Sequence, residues 1–397
     1  MRVLIMATPA PSHFTPMVPL AWALRAAGHE VLVMGQPDIT EPAVTAGLPA
    51  VTVGERYDAN EVIASKLAAG RRPNQSGSAQ AGPANPLLLA QPWLIHAKYL
   101  TQQYLALARE WQPDLILSDP LEFSAAGIGG ILGVPVVHHR WDIEPPGDTP
   151  LELARKVLGG RMAAAGLDGD IPDPALVLDC APRSIRGALP DASAPDPARS
   201  LRYVPYNGTG TVPAWASERV RKRRAVVSLG SLTAALNGVP LFRSVVDGLE
   251  KLPDTEIVVT LPARHREALG PVGADTRVVD PTPLNLFLGS CDLLVHHGGT
   301  GSSLTACAFG VPQVVLPQIG NESVWAAGLA DAGVALAVVD PDAQDDPGRV
   351  HEAARAVLGE PGFAERARAV AEEIAALPSP ADVVADLEAL LVPAEGR

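Results

Sequence analysis

The stretch that most constrains the fold of this chain is residues 291–317, CDLLVHHGGTGSSLTACAFGVPQVVLP. Its pattern predicts a buried strand over residues 292–296, a tight polar turn over 297–302, a helix over 303–309 and a second apolar strand over 313–316. Gly310 stands where a helix commonly ends. A strand that turns sharply on glycines into a helix is typical of α/β proteins built on parallel sheets.

The glycine turn predicts an anion site. Glycines let the backbone come close to a ligand, N–H groups point outward at the start of the helix, and the helix dipole favours negative charge there. His297 stands at the mouth of the turn and can donate to a phosphate oxygen, while Ser302 and Ser303 add hydroxyl groups. The turn lacks the lysine of a P-loop and the third glycine of GxGxxG. A glycine-rich turn with two incidental histidines is the alternative interpretation.

The remainder of the chain alternates strands and helices in two halves. In the first half, the pattern predicts strands at residues 2–7, 30–34, 114–118 and 134–138, with helices at 16–27 and 123–132. In the second half, it predicts strands at residues 225–229, 256–261, 276–279, 292–296 and 313–316. Because continuous apolar strands imply sheets covered on both faces, we predict an α/β fold with two doubly wound domains. Ligands in such sheets bind beyond the carboxyl ends of the strands.

Size and composition narrow the functional classes. A chain of 397 residues, 47% of them hydrophobic, is long enough for two or three domains with large cores. It has no apolar run of about 18 residues, so we expect no membrane span, and MRVLIMATP suits a strand better than a signal peptide. The net charge of −13 argues against a nucleic-acid partner. Cys180, Cys291 and Cys307 form no metal or disulfide pattern, which fits a cytoplasmic protein.

The glycine turn and the strand after it, HHGGTGSS and GVPQVVLPQ, resemble the donor-site motif of nucleotide-sugar glycosyltransferases of the GT-B fold. The chain is most similar to actinobacterial enzymes that glycosylate antibiotics and other polyketides, and HFTPMVPLAWALRAAGHEV, APRSIRG and YVPYNGTG follow in that family's order. The resemblance implies two Rossmann-like domains that face an interdomain cleft. Residues 1–200 would form the acceptor domain, 201–224 a linker and 225–378 the donor domain, and a C-terminal helix at 379–397 would pack back on the acceptor domain.

His13 is the candidate general base. It directly follows the first predicted strand, and histidine is the residue type best suited to take a proton from a hydroxyl near neutral pH. A loop histidine bonded to its own backbone is the alternative, but in the family the histidine at this position deprotonates the acceptor. Asp119, at the end of the strand DLILS, would fix its tautomer, unless it only caps a helix. Asp142 and Glu144 are the weaker candidates for that carboxylate.

The resemblance also implies which residues bind the donor. The glycine turn SLGSLT would contact the diphosphate from the other side, unless it is an ordinary strand–helix turn, and VDPTP lies where the family cradles the pyrimidine base. Asn321 and Glu322 stand where the family has an Asp-Gln pair that bonds sugar hydroxyls. The candidate donor-binding residues are Gly230, Ser231, Val279, His297, Gly299, Thr300, Gly301, Ser302, Asn321 and Glu322.

Two further features bear on the donor. Trp325 stands at a position where the family has asparagine, and its apolar surface suits a sugar with a methyl group at C6, unless the change has no effect on specificity. Asp168-Gly169-Asp170 matches the DxD pattern of metal-dependent transferases, but it lies in an irregular stretch away from any strand end. We therefore expect no metal and no cofactor, because the helix N-terminus and His297 can stabilise the diphosphate.

These observations predict an inverting glycosyltransferase that moves a deoxyhexose from a thymidine diphosphate (TDP) donor to an apolar, polyketide-like acceptor. A sugar-nucleotide epimerase and a helper protein that kept the fold but lost catalysis are the alternatives. The segment at residues 69–86, which we predict to be a mobile loop, is a candidate wall of the acceptor pocket. The sequence allows a homodimer without requiring one, and it leaves O- and C-glycosylation both open.

Overall fold

Two parallel sheets, one in each half of the chain, form the framework of the molecule. The computed structural model describes residues 1–58, 61, 67, 70–75, 86–140, 142, 149–186, 198–218 and 222–392. All strand pairs in both sheets run parallel. This is the arrangement expected when continuous apolar strands are connected through helices that cover both faces.

The first sheet has the order β3-β2-β1-β4-β5-β6-β7. Its strands are β1 (Arg2–Met6), β2 (Glu30–Gly35), β3 (Ala50–Thr52), β4 (Leu115–Ser118), β5 (Val136–His139), β6 (Leu176–Asp179) and β7 (Arg199–Ser200). The helices of this half are α1 (Pro11–Phe14), α2 (Val18–Ala26), α3 (Pro37–Thr45), α4 (Pro86–Trp111), α5 (Phe123–Leu132), α6 (Thr149–Ala164) and α7 (Arg183–Arg186).

The second sheet has the order β10-β9-β8-β11-β12-β13. Its strands are β8 (Arg223–Ser228), β9 (Thr255–Thr260), β10 (Thr276–Val279), β11 (Leu293–His296), β12 (Gln313–Val315) and β13 (Ala335–Ala337). The helices that follow β7 are α8 (Gly230–Ala235), α9 (Val239–Leu249), α10 (Arg266–Leu269), α11 (Thr300–Phe309), α12 (Gly320–Asp331), α13 (Pro341–Asp345), α14 (Pro347–Gly359), α15 (Pro361–Ala376) and α16 (Pro380–Ala389).

Two predicted helices differ from the observed ones, each for a local reason. The helix predicted at residues 16–27 is divided into α1, a 3₁₀ turn at Thr15–Met17 and α2, and each of the three has a proline in its first turn. The helix predicted at 303–309 begins three residues earlier, at Thr300, so the glycine turn is shorter than expected. It ends at Gly310, whose φ of 66° is the left-handed conformation that favours glycine.

The two halves share one continuous hydrophobic core. That core contains apolar residues of both sheets and of the C-terminal helix α16. α16 lies against the first half, where Asp386 pairs with Arg199 at 2.7 Å and Glu388 with His29 at 3.0 Å. Among the described residues, no helix has both the length and the apolar character needed to cross a membrane.

Residues 70–75 also join the two halves. Arg72 pairs with Asp345 at 2.6 Å, and the side-chain amide of Asn74 donates to Gln344 Oε1 at 2.9 Å and to the carbonyl of Pro317 at 3.3 Å. These six residues are part of the segment at 69–86 that we predicted to be mobile; within it, residues 72–74 are buried, and Arg72 and Asn74 are hydrogen-bonded to the second half. Residue 69 and residues 76–85 of that segment lie outside the described residues.

Candidate active site

His13 and Asp119 meet at the carboxyl edge of the first sheet. β1 pairs with β4 in a register that sets Met6 beside Ser118, so the chain segments that follow both strands emerge together. His13 Nδ1 lies 3.2 Å from Asp119 Oδ1, and the two residues are 8% and 0% exposed. A histidine and a buried carboxylate at this spacing can act together as an oriented base.

Asp119 is held as a carboxylate by the donors around it. Its Oδ2 accepts the backbone N–H of Thr8 at 2.8 Å, and its Oδ1 accepts the backbone N–H of Leu121 at 3.0 Å. Burial on its own raises the pKa of this carboxyl. The hydrogen bond and charge of His13, together with the two N–H donors, outweigh burial and bring the pKa below its ordinary value. Asp119 is therefore ionised at neutral pH.

The hydroxyl of Thr8 also lies in this cluster, although the sequence did not draw attention to it. Thr8 Oγ1 is 2.6 Å from His13 Nδ1 and 3.3 and 3.4 Å from the two oxygens of Asp119. Thr8 comes two residues after β1, in the same connection as His13, and that proximity was the signal available in the sequence.

The other carboxylates considered as partners of His13 do not take that place. Asp142 accepts from the side-chain amide of Asn321, in the opposite half of the molecule, at 3.2 Å. Glu144 lies outside the described residues. His138, which pairs with Ser118 in the sheet, is close enough to Asp119 to feel its charge, but burial lowers the pKa of His138 to about 4. It is therefore neutral at neutral pH, and His13 remains the histidine that interacts with the charge of Asp119.

Two aromatic side chains lie beside the base. The ring of Trp93, on α4, is 5.9 Å from the ring of His13, and the ring of Tyr57 is 5.7 Å from that of Trp93. His13, Tyr57 and Trp93 are far apart in the sequence, so no motif could have predicted this aromatic cluster. It gives the first half a half-buried apolar surface next to His13.

The N-terminus of α11 lies at the carboxyl edge of the second sheet. Gly299 precedes the helix in extended conformation. The N–H of Ser303 donates to the carbonyl of Gly299 at 3.0 Å, which closes the first turn. The N–H groups of Thr300, Gly301 and Ser302 belong to the first turn, and these three residues are half-buried. Such a helix end can bind an anion through backbone donors.

His297 stands in front of this helix, between two glycines. A Cβ atom at Gly230 would lie 2.8 Å from His297 Cε1, and a Cβ atom at Gly299 would overlap His297 Nε2. The ring can occupy this position only because both residues lack a side chain. Burial lowers the pKa of His297 to about 4, and the carbonyl of Ser228 only partly opposes the shift. His297 is therefore a neutral hydrogen-bonding group at neutral pH.

Among the described residues, Glu322 is the carboxyl group that contacts the ring of His297. Its Oε2 accepts the N–H groups of Gln318 and Ile319, at 2.7 and 3.0 Å, and its Oε1 lies 3.6 Å from His297 Nε2. The residue is 3% exposed, and burial raises its pKa to about 8 despite the two N–H donors. Glu322 thus shapes the start of α12 and contacts His297 as a neutral group.

The structure corrects the expectation for Trp325. We expected its apolar surface to suit a sugar with a methyl group at C6, unless the change from asparagine had no effect on specificity, but the residue is 1% exposed and belongs to the core shared by the two halves. Asn321 and Glu322 occupy the first turn of α12, whereas Trp325 lies one turn later on the face that packs inward. A side chain with no exposed surface offers nothing to a sugar in this conformation.

The remaining predicted donor residues are distributed around the same edge. Gly230 begins α8 directly after β8, and its φ of 75° again requires the left-handed conformation. The side chain of Ser231 lies outside what the structure describes. Val279 ends the edge strand β10, half-buried, and its carbonyl accepts the N–H of Leu261 at 2.9 Å.

The linker motif YVPYNGTG is hydrogen-bonded to helix α11, a contact that the sequence did not reveal. Asn207 and Asn285 each accept the other's backbone N–H at 3.0 Å, and the Asn207 amide donates to Thr305 Oγ1 at 3.0 Å. The hydroxyl of Tyr203 donates to the carbonyl of Gly301 at 3.3 Å. These bonds fix the first turns of α11 relative to the linker.

The candidate metal motif is far from these residues. Asp168 and Asp170 are exposed in the turn that follows α6. Within the described part of the chain, no three His, Cys, Asp or Glu side chains converge in a way that could hold a metal ion. The backbone N–H groups at the start of α11 and the side chain of His297 can donate hydrogen bonds to a diphosphate at this site.

Two family models match the chain over most of its length. Residues 22–230 match the N-terminal domain, and residues 243–390 the C-terminal domain, of the family described as Erythromycin biosynthesis protein CIII-like. The chain belongs to this family. Two curated relatives match nearly the whole chain. L-demethylnoviosyl transferase of Streptomyces niveus is 33% identical over 98% of both chains, and 10-deoxymethynolide desosaminyltransferase of Streptomyces venezuelae is 31% identical over 98% of this chain and 97% of its own.

Solved structures of similar proteins agree with the fold. Spinosyn rhamnosyltransferase SpnG complexed with thymidine diphosphate is 35% identical, with a TM-score of 0.83 over 98% of this chain and 100% of that chain. SpnG complexed with spinosyn aglycone is 34% identical, with a TM-score of 0.80 over the same shares. The predicted GT-B fold is confirmed, and this CIII-like protein is a glycosyltransferase.

Proposed function

We propose that the protein transfers a 6-deoxyhexose from a TDP-sugar to a hydroxyl group of an apolar, polyketide-like aglycone, with inversion at the anomeric carbon. The observation that carries this proposal is the presence of two complementary sites, one at the carboxyl edge of each sheet. A histidine with an ionised, buried carboxylate lies at one edge, and a helix N-terminus with a neutral histidine lies at the other. Contacts between Asp142 and Asn321 and between Asn74 and Pro317 join these edges.

The donor side of the proposal rests on α11 and His297. The first-turn N–H groups of the helix and the neighbouring imidazole are suited to a diphosphate whose charge grows as it leaves. SpnG, similar in sequence and fold, binds thymidine diphosphate. We infer that TDP binds here without a metal ion, with Asn321 next to the sugar, Glu322 behind it in contact with His297, and Val279 near the base.

The acceptor side rests on His13 and its aromatic neighbours. Trp93 and Tyr57 supply apolar surface beside the base, which suits an aglycone with few polar groups. SpnG binds an aglycone, and the relative from Streptomyces venezuelae is named for a 10-deoxymethynolide acceptor. A polyketide-like acceptor held against this surface would present its hydroxyl to His13.

The proposed step is a single displacement. His13 takes the proton of the acceptor hydroxyl at Nε2, and the electron pair of that O–H bond becomes available to the oxygen. The oxygen bonds the anomeric carbon from the side opposite the diphosphate, and the bond from that carbon to the diphosphate breaks with its electron pair going to TDP. Asp119 stabilises the imidazolium that forms and does not itself take the proton.

The test combines nucleotide binding with product analysis. Thermal stabilisation is measured with TDP, uridine diphosphate and guanosine diphosphate, with magnesium and with EDTA. A ligand at 100 times its Kd adds roughly 2.7 kcal/mol, which is readily measured. We expect selective stabilisation by TDP that EDTA leaves unchanged, and glycoside formation from TDP-rhamnose with spinosyn aglycone or 10-deoxymethynolide. Loss of TDP binding in EDTA would contradict the metal-free site, and epimerised TDP-sugar without acceptor would favour an epimerase.

A further inference from the structure

Thr8 makes four contacts with His13 and Asp119. Its side chain is 0% exposed, and its backbone N–H donates to Asp119 Oδ2 at 2.8 Å. Its hydroxyl is 2.6 Å from His13 Nδ1, which is shorter than the 3.2 Å between Nδ1 and Asp119 Oδ1. The same hydroxyl is within 3.4 Å of both carboxylate oxygens. The hydroxyl therefore lies between the imidazole and the carboxylate and is the nearer of the two to the ring.

The positions of the protons follow from the acceptors present. An ionised carboxylate only accepts hydrogen bonds, so at 3.2 Å from Asp119 Oδ1 the Nδ1 atom of His13 must carry a hydrogen or two lone pairs would face each other. With Nδ1 protonated, the hydroxyl oxygen of Thr8 accepts from it at 2.6 Å. The single hydroxyl hydrogen of Thr8 then points toward Asp119, at a longer distance.

We propose that Thr8 is a positioning residue for the base: its hydroxyl accepts from His13 Nδ1–H and donates to Asp119, which keeps the lone pair of His13 on Nε2. This inference rests on the proposed role of His13 in the reaction. The proton from the acceptor hydroxyl ends on Nε2, and Thr8 and Asp119 hold the same protons before and after the step. A hydroxyl that donated to Nδ1 instead would put the ring hydrogen on Nε2 and remove the base.

Asp119 and Thr8 have different tasks in this arrangement. The carboxylate sets the direction of the Thr8 hydroxyl, because it attracts the hydroxyl hydrogen. The hydroxyl sets the position of the ring, because it makes the short contact. Thr8 can therefore act only while Asp119 is a carboxylate, and the two side chains should behave as a unit.

The tests use variants of the full chain. Thr8→Val removes the hydroxyl and keeps the branched shape, and Thr8→Ser keeps the hydroxyl. Turnover of TDP-rhamnose, with spinosyn aglycone as acceptor probe, is measured as TDP release, and TDP binding by calorimetry counts the folded sites. We expect Thr8→Val to lower kcat about tenfold (about 1.4 kcal/mol) at unchanged KM for the donor, and Thr8→Ser to restore it. Thr8→Val in an Asp119→Asn background should cost nothing further.

Three results would overturn the inference. Thr8→Val with the kcat of the wild type would show that the hydroxyl does not matter, and a change confined to KM, or to the number of folded sites, would assign Thr8 a structural role. Multiplicative losses in the double variant would show that Thr8 acts independently of Asp119. An active His13→Ala variant overturns the proposed base itself, whereas an inactive one beside a fully active Thr8→Val overturns only the role of Thr8.

A spectroscopic test needs no substrate. In protein labelled with ¹⁵N-histidine, the ring shifts of neutral His13 report which nitrogen carries the hydrogen. We expect the hydrogen on Nδ1 in the wild type and in Thr8→Ser. A hydrogen on Nε2 in the wild type contradicts the proposed hydrogen-bond direction directly.

Discussion

The two halves of the molecule each hold a histidine and a buried carboxyl group at the carboxyl edge of a parallel sheet, yet the two pairs are in opposite electrostatic states. His13 and Asp119 are 3.2 Å apart, and the pKa of Asp119 is lowered. His297 and Glu322 are 3.6 Å apart, and burial lowers the pKa of His297 to about 4 and raises that of Glu322 to about 8. At neutral pH the first pair contains a carboxylate and the second contains two neutral groups.

The difference comes from what surrounds each carboxyl group. Both accept two backbone N–H groups, but Asp119 also lies within hydrogen-bonding reach of the His13 ring and the Thr8 hydroxyl. Glu322 has its histidine neighbour at 3.6 Å, beyond a normal hydrogen bond. Without that extra stabilisation, the cost of burying a charge decides its state. The same two residue types can therefore orient a base in one half and support a neutral phosphate-binding histidine in the other.

The largest effect should come from removing the charge of the first pair. Asp119→Asn keeps the shape of the side chain but can no longer favour the hydrogen on His13 Nδ1. We expect kcat to fall by about 10²–10⁴-fold, the usual contribution of general base catalysis. Steady-state turnover of TDP-rhamnose measures it, with the Kd for TDP as the control that should not change. An Asp119→Asn variant with wild-type kcat would make the two pairs equivalent and break the comparison.

Changing the second pair should affect affinity for the nucleotide. His297→Ala removes a donor to the diphosphate, and a hydrogen bond to a charged group contributes about 1.5–3 kcal/mol. We therefore expect the Kd for TDP, measured by calorimetry, to rise about 10–100-fold. His13→Ala is the reciprocal control, because that residue belongs to the other pair. Unchanged TDP affinity in His297→Ala would remove the phosphate-binding role from the second pair.

A glycine substitution tests the position of the His297 ring without changing the histidine itself. Alanine at Gly230 would place Cβ 2.8 Å from His297 Cε1, at a residue with φ of 75°. Gly133 is a matched control, with φ of 69° in the left-handed conformation and no atom within 4 Å of where a Cβ would lie. Both substitutions should lower the unfolding free energy by about 1–2 kcal/mol. Only Gly230→Ala should weaken TDP binding, by about tenfold. Equal TDP affinity in the two variants would contradict the claim that the position of the His297 ring matters for binding.

The smallest effect concerns the pH dependence of stability. Glu322 has a folded-state pKa of about 8, above its ordinary value of 4.5, so its protonated form stabilises the fold and this contribution is lost as pH rises toward 8. Between about pH 6.5 and 8 the unfolding free energy should fall by about 1.4 kcal/mol per pH unit from this group alone. Glu322→Gln mimics the protonated acid, so its denaturant-unfolding curve should lack that slope. Parallel pH profiles for the wild type and Glu322→Gln would show that Glu322 is ionised in the fold.

Buried histidines determine how the unfolding free energy changes at acidic pH. Burial lowers the pKa of four of them to about 3–4, and they are His138, His139, His296 and His297. Each contributes stability that is present above pH 6.5 and is lost as pH falls toward 4. This change has the opposite sign to that of Glu322, which is why the window above pH 6.5 isolates the carboxyl group.

The sequence predicted the features that lie next to strand ends. His13, Asp119 and His297 each follow an apolar strand, and a parallel sheet brings such positions to one edge, so spacing alone made them candidates. The glycine turn and helix α11 could also be predicted, because the local composition of that stretch indicates both. The residue ranges of the domains and the chemical roles of these side chains stay predictions.

What the sequence missed depends on tertiary packing. A motif position does not say which face of a helix is turned inward, so Trp325 was expected at the sugar and is in the core. Trp93 reaches His13 from a helix about eighty residues away in the chain, and Asn207 reaches α11 from the linker. The neutral state of Glu322 could not be predicted either, because it depends on burial that only the folded chain creates.

The most direct test of the central claim measures both functions on one variant, His13→Ala. The account predicts a Kd for TDP close to that of the wild type, because the second half alone binds the diphosphate, together with a kcat lower by about 10²–10⁴-fold. A His13→Ala protein that keeps its turnover, or one that loses TDP binding along with turnover, would contradict the division of work between the two histidine–carboxyl pairs.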